Sequence, residues 1–205
     1  MNSNFDSDLS KEGLLGKYLD DIYPKILEGF TIQRISDADL QHQGVDLIIS
    51  KDNCHFNIDE KAQLDYLEHD LPTFAFEITY IKDGQQKQGW LYDSDKTTDR
   101  YFAVTGITCN TPNEPKSGFK SCKIVSVNRS KLINLLTLKG LTYKRIIEIN
   151  QEIRSATTDG RISVMELEGR AQGNFHYTTG KVERPINIVL KLEYLIAENV
   201  AKRIY

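Results

Sequence analysis

Two carboxylates and one ammonium stand at a spacing that could hold a cation against a phosphate. They are Asp46, Asp59 and Lys61, within residues 44–63, GVDLIISKDNCHFNIDEKAQ. Val45, Leu47, Ile48 and Ile49 predict a strand, residues 51–54 a turn, and residues 55–61 a second, strictly alternating strand. The two should form a hairpin. A two-residue Asp52-Asn53 turn and a four-residue loop give the same pairing, in which partner numbers sum to 105, so Asp46 is expected directly opposite Asp59. Alternation puts Asp59, Lys61 and Gln63 on one face, with Phe56 and Ile58 on the other. Opposed residues have Cβ atoms about 4.5–5.5 Å apart, where like charges destabilise unless something positive lies between them. A divalent cation would serve. Lys61 is then about 6.6 Å along the strand from Asp59, within reach of a water or phosphate at that cation. The plainer reading of an Asp-Glu-Lys run is a solvated strand edge.

G-V-D followed by I-D-E-K resembles the PD-(D/E)xK nuclease superfamily, the restriction-endonuclease-like fold, with the match on Asp46, Asp59 and Lys61. Val45 stands where the name-giving proline would be. The resemblance covers residues 8–105. It implies an α+β chain with an α/β-type core, in the order αβββαβ around a central mixed sheet, and a C-terminal αβ elaboration. It also implies a divalent-metal-dependent endonuclease acting on DNA, possible as a restriction enzyme. In that reading Asp46, Asp59 and the backbone carbonyl of Glu60 hold Mg²⁺, with Mn²⁺ able to replace it, and Lys61 orients or helps deprotonate the attacking water. Glu12, on the first helix, corresponds to the extra acid that such enzymes often take from that element. RNA is not separated from DNA, and a homodimer stays open. The alternative is a catalytically silent nucleic-acid-binding or assembly module on the same fold.

Net charge is −3 overall, but it is polarised along the chain. Residues 1–115 hold 10 Lys+Arg against 21 Asp+Glu, a net of −11, and residues 116–205 hold 16 against 8, a net of +8. An acidic, metal-binding half beside a basic half suits phosphate contact. Hydrophobic residues make up 40% and charged residues 27%, as in a globular protein, and no apolar run approaches a membrane span. The polar start MNSNFDSD lacks the basic and apolar regions of a secretory signal, so a cytoplasmic location without membrane contact is expected. Cys54, Cys109 and Cys122 are an odd number without C-x-x-C spacing, which argues against a disulfide framework or structural zinc. No nucleotide-binding glycine loop and no G-x-S-x-G is present.

The elements expected to position these groups begin with an amphipathic helix over residues 8–28, carrying Leu15, Leu19, Ile22 and Ile26. Glu12 projects from its core-facing stripe, although a first-turn acid also suits the helix dipole. Residues 30–35 predict a strand, and the polar residues 36–43 a loop from which Gln41 could hold a phosphate or water. Residues 73–81 alternate as a strand on which Glu77 faces away from the phenylalanines. Glu77 is then an outward polar residue or one more carboxylate at the site, and Gln63 supports it from the lysine's face. Residues 82–90 read as a loop and residues 101–105 as a deep strand, with Lys96 before it a phosphate contact. Residues 130–136 predict a helix capped by Ser130, and residues 142–155 another whose first turn carries Lys144 and Arg145. That is the end the dipole makes unfavourable for cations, which hints at an anionic partner. From residue 161 the chain is β-rich, ambiguous over 185–192, and closes with a helix. One domain is expected: a nuclease-like core over 8–105 and a basic elaboration over 106–205.

Overall fold

Leu15, Leu19, Ile22 and Tyr23 recur at one helical face, and that spacing makes the first helix an element with one buried stripe. The computed structural model describes residues 4–205, with side chains from Lys11 onward; Met1 to Ser3 of the acidic start lie outside the described residues. The helix, α1 (Asn4–Ile26), leads into β1 (Thr31–Arg34), a short α2 (Ala38–His42), β2 (Leu47–Lys51) and β3 (Cys54–Ala62). Then come β4 (Thr73–Lys82), β5 (Gln85–Gln88), β6 (Arg100–Cys109), β7 (Phe119–Asn128), α3 (Arg129–Leu138) and α4 (Tyr143–Ala156). The chain ends with β8 (Gly160–Ile162), β9 (Gly173–Tyr177), β10 (Ile186–Lys191), α5 (Leu192–Ala197) and β11 (Ala201–Arg203). It is a mixed α+β protein. Among the described residues no helix is long and apolar enough to cross a membrane.

The strands form two sheets, and the chain divides into two compact units around them. The first unit comprises residues 1–71, 98–127 and 202–205; the second comprises residues 72–97 and 128–201. These bounds cross the expected division at residue 105, because β4 and β5 leave the first unit and β7 joins it. Regrouping also dissolves the charge polarity. The second unit holds 14 Lys+Arg against 12 Asp+Glu, a net of +2, and the first holds 12 against 17, a net of −5.

In the first unit a six-stranded sheet runs β1-β2-β3-β6-β7-β11. β1, β2 and β3 are antiparallel neighbours, and β3 pairs parallel with β6. A parallel pair needs a long crossover, and here residues 63–99 supply it. The α1 stripe packs on one face of the sheet, against Leu47, Ile49, Ile58, Phe102 and Val104. In the second unit a five-stranded sheet runs β5-β4-β10-β9-β8, antiparallel throughout.

Several local expectations change. Residues 38–42 are a helix turn instead of loop, because the Asp37 carboxylate accepts the Leu40 N–H and caps it. Residues 82–90 contain β5, set by a turn in which Asp83 (φ 53°) and Gly84 (φ 72°) both take the left-handed region that primed hairpin turns demand. Asn128, not Ser130, caps α3, accepting the Lys131 N–H at 2.9 Å. The closing helix stops at Ala197; Asn199 turns left-handed (φ 56°), and the remaining residues form β11 at the edge of the first sheet.

Candidate metal and phosphate site

The β2–β3 ladder pairs Leu47 with Ile58, Ile49 with Phe56 and Lys51 with Cys54, the register in which partner numbers sum to 105. Asp52 makes the two-residue turn with φ 54°. Asp46 lies one residue beyond the end of the ladder. Its N–H donates to the Ile58 carbonyl at 2.8 Å, its own carbonyl accepts from Ile35 at 2.8 Å, and its Oδ2 accepts the Glu60 N–H at 2.7 Å. A carboxylate therefore takes the place that a backbone carbonyl would hold in a continued ladder. The loop before it is fixed by Thr98, whose buried hydroxyl donates to the Gly44 carbonyl at 2.7 Å.

On β3 the side chains alternate between two environments. Ile58 and Glu60 face α1. The Glu60 carboxylate accepts from the Tyr23 hydroxyl and from Arg34, at 2.5 Å for Nη1 and 3.3 Å for Nη2. Arg34 Nε also donates to Asp20 at 2.7 Å. Burial, reinforced by the Glu60 charge, pushes the Tyr23 phenol upward, so it stays a donor. The Glu60 side chain is thus spoken for on the helix side. Its carbonyl leaves the strand on the same edge as its N–H, the edge facing Asp46, because both groups of a strand residue point one way. Tyr23→Phe removes one donor from a largely buried carboxylate and is expected to cost about 1–2 kcal/mol of stability, read by urea denaturation.

Asp59 and Lys61 occupy the opposite face. Asp59 is 2% exposed, and its Oδ1 pairs with Lys61 Nζ at 2.7 Å. Its Oδ2 is buried and has no hydrogen-bond donor. Burial pushes the Asp59 carboxyl up to about 6; Lys61 opposes this by charge and hydrogen bond, and the adjacent Asp46 carboxyl adds to it in the same two ways. A hydrogen bond between two carboxyls exists only while one of them carries a proton. Once Asp59 ionises, its charge stands near the Asp46 carboxyl with Lys61 as its ion-pair partner. For Lys61, burial alone would lower the pKa, but the charges of Asp59, Asp46 and Glu12 raise it. The ammonium stays charged.

The residues brought together are Asp46, Asp59, Lys61 and the backbone of Glu60, with Gln63 next along the same face and anchored by its N–H to Val104 at 3.0 Å. Exposed Glu12 contributes its charge at Lys61. Gln41 spends its amide on the Ile35 carbonyl at 3.0 Å, holding α2 against β1. Glu77, Lys96, Lys144 and Arg145 belong to the second unit. Glu77 faces Asn187 across the β4–β10 pair, and the Lys96 carbonyl accepts from Arg129 at 2.8 Å. Lys144 is exposed. Arg145 finds its anions within the chain, at 2.7 Å from Glu166, 3.2 Å from Glu152 and 3.7 Å from Glu148. Those pairs account for a cation in the first turn of α4 without an outside partner. The Tyr23, Arg34 and Asp20 set escaped the sequence reading; a tyrosine four residues after Leu19 and an arginine closing β1 were its only signals.

Among the described residues no group of three or more His, Cys, Asp or Glu side chains is arranged to hold a metal ion. The donor set still suits a hard cation that keeps most of its waters: two carboxylates and one carbonyl, with an orphaned buried oxygen on Asp59. No family model matches the chain, and no curated protein or solved structure matches it either.

Proposed function

We propose that the protein is a divalent-metal-dependent endonuclease that hydrolyses DNA phosphodiester bonds, on a core of the restriction-endonuclease type. The observation that carries this reading is the buried Asp59, with one oxygen on Lys61, the other without a hydrogen-bond partner, and the Asp46 carboxyl near enough to raise its pKa. An acid pair costs folding energy that an ordinary strand edge would not need to spend. In support, β3 lies inside a mixed sheet between antiparallel β2 and parallel β6, with α1 on the face away from Asp59.

Asp46, Asp59 and the Glu60 carbonyl would hold Mg²⁺ or Mn²⁺, which supplies Lewis acidity toward a phosphoryl oxygen and a more acidic water. The chain's own residues do the rest. The Glu60 N–H fixes the Asp46 carboxylate, and the Arg34–Glu60–Tyr23 set fixes that stretch of strand from behind. Lys61 presents a permanent ammonium to the attacking water and to the charge that develops on the phosphate.

One observation favours a silent nucleic-acid-binding or assembly module instead: Lys61 already neutralises Asp59 without a metal. Incubation of supercoiled plasmid with the protein and millimolar Mg²⁺ or Mn²⁺ separates the two. Nicking that needs metal and disappears in Asp46→Asn is the expected result, together with a Mg²⁺-induced rise in wild-type melting temperature. If neither metal changes melting and no DNA is cut, the endonuclease reading falls and the binding module takes its place.

A further inference from the structure

We infer that Arg154, Asn150 and Arg184, in the second unit, build an oxyanion site that takes a phosphate group. Arg154 lies in the last turn of α4, four residues beyond Asn150, so both project from one helix face. Its Nη2 donates to the Thr79 hydroxyl at 2.8 Å, its Nη1 to the Arg184 carbonyl at 3.3 Å, and its guanidinium lies 5.6 Å from the centre of the Tyr177 ring. Thr79 passes its own proton on to Asn150 Oδ1 at 2.9 Å. After these bonds two buried donors have no acceptor: Arg154 Nε and Asn150 Nδ2. Asn150 is 1% exposed.

Every partner of Arg154 is neutral. No carboxylate among the described residues pairs with it, and burial lowers its pKa, opposed by the charge and hydrogen bond of the Tyr177 phenol and aided by the charge of Arg184. Arginine so placed usually faces an anion, as Arg34 and Arg145 do in this chain. The negative end of the α4 dipole offsets part of the charge, but it accepts no hydrogen bond from Nε. Water would satisfy the donors and leave the charge uncompensated. An oxyanion does both. The two unsatisfied donors stand four residues apart on α4, and Arg184, whose charge acts on Arg154, is exposed on the loop between β9 and β10. That arrangement suits an acceptor with more than two oxygens, a phosphate rather than a carboxylate.

The net +2 of this unit makes the local cluster, not bulk charge, the feature that would select phosphate. The inference does not depend on the metal site, since its residues include none of Asp46, Asp59 and Lys61. The test is thermal melting and calorimetric titration with sodium phosphate, against sodium chloride at matched ionic strength, and with a twelve-nucleotide single-stranded DNA. Phosphate is expected to raise melting saturably, by about 5 °C at a hundredfold excess over Kd. Arg154→Met and the exposed Arg184→Ala should each weaken phosphate binding about tenfold or more. Asn150→Asp supplies the missing negative charge from within, so it should melt higher without phosphate and lose the response. If the DNA arm weakens with the same variants, the ligand is a phosphate of the nucleic-acid chain; if only inorganic phosphate responds, it is a free or terminal one. Equal melting in phosphate and chloride, or phosphate binding unchanged in Arg184→Ala and Asn150→Asp, would overturn the assignment.

Discussion

Lys61→Ala is expected to lower metal-dependent plasmid cleavage by about two to four orders of magnitude, the range for a positioned proton-transfer or charge-stabilising group. Metal binding should survive and even tighten. In the metal-free protein the Lys61 ammonium lies 2.7 Å from Asp59 Oδ1, so it competes with any cation for the same carboxylate. Removing it leaves that oxygen available, and the Mg²⁺-induced rise in melting temperature should appear at lower Mg²⁺ in the variant than in wild type. Two readouts moving in opposite directions distinguish a working lysine from a structural counter-charge. Cleavage by Lys61→Ala at the wild-type rate would show that the ammonium merely neutralises Asp59.

Asp59→Asn should abolish cleavage and, without metal, stabilise the protein at neutral to alkaline pH. The Asp59 carboxyl titrates at about 6 in the folded chain, against an ordinary 3.8. Between those values the folded state binds the proton more tightly than the unfolded state, so stability falls as pH rises through this window and levels off above about pH 7. Roughly 1.4 kcal/mol attaches to each pKa unit, which makes the full effect about 3 kcal/mol. Asparagine has the shape of the protonated acid and does not ionise. The variant should therefore exceed wild type by about 2–3 kcal/mol at pH 8 and match it near pH 4, measured by urea denaturation in EDTA. Saturating Mg²⁺ should reverse the order at pH 8, because only the wild type gains from it. A variant less stable than wild type at pH 8 in EDTA would mean that the Lys61 pair outweighs the cost of burial, and the strain argued for the acid pair would be absent.

What the sequence made legible is local. The β2–β3 register follows from a two-residue turn and strict alternation, and both are properties of neighbouring residues. The faces of Asp59 and Glu60 follow in the same way. Long-range assignments were not legible. The alternating 73–82 stretch identifies itself as a strand, but nothing in its pattern says which sheet it joins, and β4 pairs with β10, more than a hundred residues later. With it, Glu77 moves to the second unit and the charge division at mid-chain loses its spatial meaning. The Arg34–Glu60–Tyr23 set was hidden for the same reason: three elements supply it, and each residue alone reads as a surface polar group or a helix aromatic. Short caps decided the remaining differences. Asp37 and Asn128 each start a helix through one side-chain hydrogen bond, and Asn199 ends one by adopting a left-handed backbone.

The way the chain alternates between its two sheets bears on how the protein can be made. β3 and β6 are neighbours, yet the chain builds β4 and β5 of the other sheet between them, and β11, from residues 201–203, joins the first sheet last. During synthesis the first sheet cannot complete its β7 edge until residues 201–203 have left the ribosome, so the sequential, N-terminal-first folding open to tandem domains is denied to these two units. The β3–β6 and β4–β10 pairs and the β7–β11 edge join distant residues, which predicts slow folding with strand edges exposed meanwhile. The same weave means that no single cut releases either unit whole. Truncation before residue 201 would remove β11, the strand at the β7 edge of the first sheet.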